Sequence, residues 1–389
     1  MPMRPPSLLI NNPWITATIA VKIKPPIVPN KNVPIRMGMS AGSYFIKGTA
    51  GNSGKLMSKT KTMDKAMSIA IPVSIRVLLV SIRFLLSDKF FLYRNKFYNI
   101  INYSVNEYLI SMKGGKFMFN VKLNNQLEMP ILGMGVYLVK DLAQMQEMVD
   151  NAINAGYRSF DTAQMYKNEE LLGQALHNAA IKREELFLTT KIDLPNMSYD
   201  KVFTSFEESL GKLQTDYVDL LLVHWPGQNK TRLQEVWQAF EKLYVDKRVK
   251  AIGVCNCLTK HLEWILQSAK IVPAVNQLEH HPLFNRQELG EFCFAHKIQP
   301  EAWAPLIRGK IELPEIMALA QKYAKTPAQI ILRWNVQSNW IVIPKSVNPK
   351  RIKENIDVFD FELSDDDMAL INSLNTNYTT GWDLATFDF

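Results

Sequence analysis

Cysteine is scarce in this chain of 389 residues: there are three, Cys255, Cys257 and Cys293. An odd number cannot all pair within one chain, so no disulfide framework is available, and the usage fits a reducing cytoplasm. Cys255 and Cys257 are one residue apart, but no second Cys/His pair at zinc-ligand spacing accompanies them. The expectation is therefore structural thiols and no metal. Acidic residues are nearly missing from positions 1–117, where Asp64, Asp88 and Glu107 stand against 17 Lys/Arg, a balance of +14. Of the 45 basic and 37 acidic residues in the whole chain, 28 and 34 remain for 118–389, a balance of −6. The basic charge belongs to the first segment alone, so the rest shows no sign of nucleic-acid binding. A glycine-rich phosphate loop is also missing. The one candidate, Gly133-x-Gly135, lacks a third glycine, which leaves little case for a dinucleotide fingerprint.

Positions 1–117 are Pro-rich in places and Ser/Lys/Gly-rich in others, with no sustained period of 3.6 or 2. One apolar run, 67–86, is long enough to consider as a membrane span, but it holds Pro72, Arg76 and Arg83. Mid-span arginines are costly in a bilayer, and the run begins too deep for a cleavable signal peptide. A membrane partner is not expected. A surface tether and a segment with no folded role are two readings of this stretch, and the gene offers a third. Met112-Lys-Gly-Gly-Lys-Phe stands directly before Met118. In a bacterial gene Lys-Gly-Gly can be written AAAGGAGG, a purine-rich ribosome-binding signal just upstream of the Met118 codon. The expectation is that the chain starts at Met118 and that 1–117 is translated upstream DNA. N-terminal sequencing checks this, and a mature chain beginning near Met1 would overturn it.

From Met118 the pattern changes. Segments 119–123 and 128–130 flank Asn124-Asn125 and read as a hairpin. Apolar strands are then expected at 131–133, 159–161, 186–191, 217–224, 249–254, 274–278, 299–303 and 340–343. Amphipathic helices are expected at 142–155, 168–178, 199–213, 232–246, 260–269, 286–296 and 327–338. Eight strands alternating with helices imply an α/β fold, a (β/α)8 TIM barrel preceded by the hairpin. A doubly wound sheet is the runner-up.

Ionisable residues collect where successive predicted strands end: Asp161 and Tyr166 in FDTAQMYKNEE, Lys191 in LFLTTK, His224 in LLLVHWP. In a parallel barrel these positions share one face. A phenol in water is a poor proton donor at neutral pH. Lys191 is expected to bring the Tyr166 pKa down, Asp161 to hold the ammonium, and His224 to donate a hydrogen bond to a carbonyl oxygen. After the last strand stand Lys345, Ser346 and Pro349, which opens a helix carrying Arg351. A helix N-terminus with two cations suits a phosphate, and a 2′-phosphate in particular, which favours NADPH over NADH. Asn256, Gln277 and Trp303 end strands and could hold a carboxamide and stack on a ring.

The stretches GMGVY, FDTAQMYKNEELLGQAL, LTTK, LVHWP, GVCNC, VNQLEHHP and IPKSVNPKRIKEN are similar, in order and spacing, to aldo-keto reductases. The chain resembles small bacterial members of the diketogluconate and glyoxal reductase type, from Met118 to the C-terminus. The resemblance implies NADPH-dependent reduction of aldehydes and ketones, with Tyr166 as proton donor, Asp161 and Lys191 tuning it and His224 orienting the substrate. It also implies that Lys345, Ser346 and Arg351 hold the 2′-phosphate, that Asn355 meets the adenine, and that Cys255, Asn256, Gln277, Trp303 and Leu306 are further cofactor contacts. The family usually has Ser in place of Cys255, and a thiol is the weaker donor. Trp225 would wall the substrate pocket. His281 is expected to be structural, His280 lies near the rim within reach of substrate, and Trp264 reads as packing. The loop GQNKTR and the tail 375–389 are short, which suggests an open pocket for small dicarbonyls, keto-sugars or aromatic aldehydes. Thr379 stands where some relatives carry an arginine. A cytoplasmic monomer is expected. The alternative function is a redox-sensing, NADPH-binding regulatory subunit with little turnover.

Overall fold

The computed structural model describes residues 39–40, 43–44, 109–113 and 116–388. Two units are distinguished, Met1–Val105 and Asn106–Phe389. In the first, β1 (Met39–Ser40) and β2 (Ser43–Tyr44) form a short antiparallel pair, with Met39 opposite Tyr44. The apolar run 67–86 lies outside the described residues. Among the described residues no helix is long and apolar enough to cross a membrane.

The second unit opens with three antiparallel strands, β3 (Leu109–Lys113), β4 (Lys116–Lys122) and β5 (Glu128–Pro130). The hairpin expected around Asn124-Asn125 is the pair β4–β5, with Val121 opposite Met129. Strand β3 lies before Met118, where the sequence offered no element, and it pairs with β4. Asn125 makes the turn by accepting from the Leu127 N–H at 3.1 Å. The hairpin tip also caps the barrel floor: Asn124 donates to the Pro273 carbonyl at 3.0 Å and Asn125 to the Lys250 carbonyl at 2.8 Å. Both acceptors sit at the beginnings of barrel strands, so the opposite end stays free for chemistry.

The barrel strands are β6 (Met134–Gly135), β7 (Ser159–Asp161), β8 (Phe187–Ile192), β9 (Val218–Val223), β10 (Val249–Cys255), β11 (Val275–Glu279), β12 (Gln299–Trp303) and β13 (Ile341–Val342). Neighbours in sequence are neighbours in the sheet, and every pairing is parallel. The ring closes where Leu132 bridges Val342: Gly133 N–H donates to the Val342 carbonyl and Val342 N–H to the Ile131 carbonyl, both at 2.9 Å. Gly133 serves this seam, because a Cβ there would lie 2.9 Å from Ser159 Oγ. Its role is close packing, and the doubly wound alternative falls with the closed ring.

Strands read as continuous apolar runs because helices cover their outer faces. In β9, Val-Asp-Leu-Leu-Leu-Val, all six residues are buried. The covering helices are α1 (Leu142–Ala155), α2 (Glu169–Asn178), α3 (Tyr199–Leu213), α4 (Lys230–Val245), α5 (Thr259–Leu266), α6 (Gln287–Ala295), α7 (Pro314–Tyr323), α8 (Pro327–Gln337), α9 (Pro349–Ile356) and α10 (Asp365–Ser373). Their ends follow local chemistry. Asp141 caps α1 by accepting from the Gln144 N–H, and Gly156 ends it with φ 119°. Thr326 and Gln329 form a reciprocal capping box at α8. Met145, Met148, Val149 and Ala152 of α1 pack fully buried into the core. Each such large side chain contributes roughly 1.5–3 kcal/mol by leaving water.

Candidate active site

Lys191, the fifth residue of β8, is fully buried, and its ammonium has three partners. Nζ lies 2.5 Å from Asp161 Oδ1 at the end of β7, donates to the Thr162 carbonyl at 2.9 Å and reaches Tyr166 Oη at 3.4 Å. Tyr166 stands half-buried in a 3-10 turn, Gln164–Tyr166, just after β7. That turn is fixed from below: Gln164 donates to Ser209 Oγ and to the Ser205 carbonyl, both at 2.9 Å. His224 follows β9, with its ring centroid 5.7 Å from that of Tyr166 at an interplanar angle of 77°. The four expected residues therefore meet at the carboxyl ends of three adjacent strands.

Their electrostatics correct one expectation. Burial pushes the Tyr166 phenol above its ordinary value, and the Lys191 charge opposes this only in part. The phenol thus stays protonated in the protein alone. Burial works against the Lys191 ammonium too, but Asp161, Tyr166 and Cys255 together hold its pKa above the usual lysine range. Burial, then the Lys191 charge, keep His224 well below the usual imidazole value. His224 is therefore neutral near pH 7, and its Nδ1 has no hydrogen-bond partner. A protonated phenol, a neutral imidazole and a fixed ammonium can together polarise a carbonyl oxygen and give it a proton.

The residues expected at a cofactor ring lie beside this group. Gln277, the middle residue of β11, donates from Nε2 to Asp161 Oδ2 at 2.9 Å and to Glu301 Oε2 at 2.8 Å, while its Oε1 lies 3.6 Å from Cys255 Sγ. Asn256, with φ 61°, donates to the His224 carbonyl at 3.1 Å and accepts from Trp303 Nε1 at 3.0 Å. Its amide is thus used to orient Trp303 and the His224 backbone, a role the sequence did not suggest. Burial raises the Cys255 thiol well above its ordinary value, so it stays a weak neutral donor. Trp303 and Leu306 are half-buried. Lys345, exposed, and Ser346, buried, precede α9; Arg351 is exposed in its first turn and Asn355 is buried within it. Asn348 caps α9 by accepting from the Arg351 N–H, so the side chains rather than that amide remain for an anion. Among the described residues no group of three or more His, Cys, Asp or Glu could hold a metal.

Trp225 sits behind His224, its ring 5.0 Å from Trp382 and 4.9 Å from Phe387. The short tail consequently folds onto the mouth and walls it, which narrows the open pocket that its length suggested. Gln228 binds it further, donating to Asp388 Oδ1 and to the Phe387 carbonyl. The tail is anchored on Glu279, at the end of β11. Thr379 Oγ1 donates to Oε2 at 2.5 Å, and the Thr380 hydroxyl and N–H donate to Oε1 at 2.5 and 2.7 Å. Burial would raise this carboxyl, but hydrogen bonds from His281, Thr379 and Thr380 bring it down to about 2 from 4.5. The stability it supplies is present above the ordinary value and is lost only as pH falls through about 2. Glu279→Gln is expected to free the tail and speed its limited proteolysis several-fold, read as fragments cut after Thr376.

His280 does not line the rim. It is buried between Trp334 and Trp340, with ring centroids 4.7 and 3.7 Å away, and its Nδ1 is 2.8 Å from Asn335 Oδ1. His281 is buried against Glu279, and Trp264 is half-buried on α5 against the core. The sequence reading missed Glu301, Trp382 and the Glu279 clamp. For Glu301 there was a signal: a lone acid inside the strand Gln-Pro-Glu-Ala-Trp, two residues before Trp303 and so on the same inward face.

Known proteins resemble this chain in sequence and fold. The model described as "Aldo/keto reductase family" matches residues 132–376. The chain is 46% identical over 262 residues to glyoxal reductase of Bacillus subtilis (strain 168), covering 67% of this chain and 94% of that protein. It is 42% identical over 270 residues to methylglyoxal reductase DkgA of Escherichia coli (strain K12), covering 69% of this chain and 97% of that one. The crystal structure of a Gox0644 variant in complex with NADPH shares the fold with a TM-score of 0.67 and 39% identity, over 70% of this chain and all of that one. Motif order, closed barrel and sequence identity converge, and the chain belongs to the aldo/keto reductase family.

Proposed function

We propose that the chain reduces small aldehydes and ketones to alcohols with NADPH. The reading is carried by one observation, the Lys191 ammonium held at 2.5 Å from Asp161 and 3.4 Å from Tyr166 at the mouth of the barrel. NADPH, when bound, supplies a hydride to the carbonyl carbon. Tyr166 Oη gives the proton to the carbonyl oxygen and is left as phenolate beside the ammonium. His224, neutral, donates its one N–H to the same oxygen and holds it against the phenol. Trp225, Trp382 and Phe387 pack together along this side of the mouth.

The residues present suit that cofactor. Trp303 offers an indole whose plane is fixed through Asn256, and Gln277 keeps an amide oxygen met only by a weak thiol donor. Lys345 and Ser346 stand just before α9 and Arg351 in its first turn. The complex of the Gox0644 variant with NADPH supports that cofactor here, and the glyoxal and methylglyoxal reductases support dicarbonyls as substrate class. Following NADPH consumption with methylglyoxal and a nitrobenzaldehyde tests the reading; tight NADPH binding without turnover on a broad carbonyl panel would overturn it.

Lys345→Ala is expected to weaken NADPH binding by about 1.5–3 kcal/mol, as for one lost charge-assisted contact, and NADH binding far less. Equal losses for both cofactors would contradict a 2′-phosphate at this lysine.

A further inference from the structure

Glu301 is fully buried at the third position of β12, and the mechanism above gives it no task. It faces the barrel interior with Trp303, two residues on, and its Cα pairs with that of Gln277 across the sheet. Gln277 has two amide hydrogens, and both are taken by carboxyls, one by Asp161 Oδ2 and one by Glu301 Oε2. The opposite amide orientation would aim its oxygen at the Asp161 carboxylate, so the network settles which way the group lies. Oε1 is thereby turned toward Cys255 and the space where the proposed ring would sit.

We propose that Glu301 is a positioning residue that keeps a proton inside the barrel and, through Gln277, sets the amide face offered to the cofactor and the hold of Asp161 on Lys191. This rests on the reading of the site as a carbonyl reductase. Glu301 Oε1 is buried and has no hydrogen-bond partner. A carboxylate there would leave a bare charged oxygen in the interior, which costs far more than a neutral carboxyl. The ionisable groups facing it are Asp161 from β7, Lys191 from β8 and Cys255 from β10, with Tyr166 beyond Lys191. Across the sheet it meets the Gln277 amide of β11, and its Cα pairs with that of the apolar Ile341 of β13. Burial first, then the charge of Asp161, push the Glu301 carboxyl up to about 8 from 4.5, against the Gln277 hydrogen bond and Lys191. Once ionised, Glu301 puts a second negative charge near Asp161 and competes with it for the charge of Lys191. The added negative charge makes Tyr166 a poorer proton donor.

Two measurements on the full chain test this with Glu301→Gln, which keeps shape and removes the titration. The first is kcat/KM for NADPH-dependent methylglyoxal reduction against pH. The wild type is expected to lose about tenfold between roughly pH 7 and 10, as when one ionisation costs the transition state about one pKa unit, and E301Q to lose that limb. An E301Q profile with the wild-type limb would overturn the proposal. The second needs neither cofactor nor substrate: urea denaturation of the free protein across pH. The folded chain binds an extra proton between about 4.5 and 8, so wild-type stability falls as pH rises through that window. The wild-type midpoint is expected to drop relative to E301Q there. Parallel midpoints would overturn the proposal, whereas absent turnover with diverging midpoints would sink only the reductase reading.

Discussion

Tyr166→Phe is expected to lower carbonyl reduction by about 10²–10⁴-fold, the usual worth of a positioned proton donor, while NADPH still binds within a few-fold of the wild-type dissociation constant. The substitution removes one oxygen and leaves the ring. Contacts of the ring with Tyr137, centroids 4.9 Å apart, and with His224 are therefore kept. Lys191 loses its longest partner, at 3.4 Å, and keeps the Asp161 carboxylate and the Thr162 carbonyl. The ammonium thus stays in place and folding is little changed. Quenching of tryptophan fluorescence by NADPH reads binding, with Trp303 as the nearest expected reporter, and single-turnover kinetics with methylglyoxal read the chemical step. A variant with near-wild-type turnover would remove Tyr166 from the proton-donor role and leave His224 as the candidate.

Much of this site was legible because strand ends are legible. Asp161, Lys191 and His224 each close or follow a short apolar run, and a parallel barrel sends such positions to one face. The depth of burial was not legible. Lys191 sits near Tyr166 as expected, yet burial outweighs its charge and the phenol is pushed up. Pairings between distant positions were also hidden: Glu279 meets Thr379 and Thr380 some hundred residues later, and no local pattern marks that contact. Helices α7 and α10 were missed although α10 carries a start signal, Ser364 accepting from the Asp367 N–H. Asn256 shows a different limit. Its residue type gave no sign of the left-handed backbone that brings its amide onto Trp303 and the His224 carbonyl.

Lys191→Met should have the largest effect on folding. The Lys191 and Asp161 side chains are 0% and 3% exposed, so their attraction is little screened, and neither can turn to water if the other is removed. Methionine fills similar volume, so the change is one of charge rather than cavity. Breaking a buried pair by deleting one partner costs about 3–5 kcal/mol, chiefly because the remaining charge is stranded. Here it would strand Asp161 on the same Gln277 amide that already serves Glu301. Urea denaturation of the free protein reads the deficit. The double variant Asp161→Asn with Lys191→Met removes both charges, and should be more stable than Lys191→Met alone although a second native group has been lost. If it is less stable instead, the pair acts through packing, and the ammonium is not what holds this end of the barrel together.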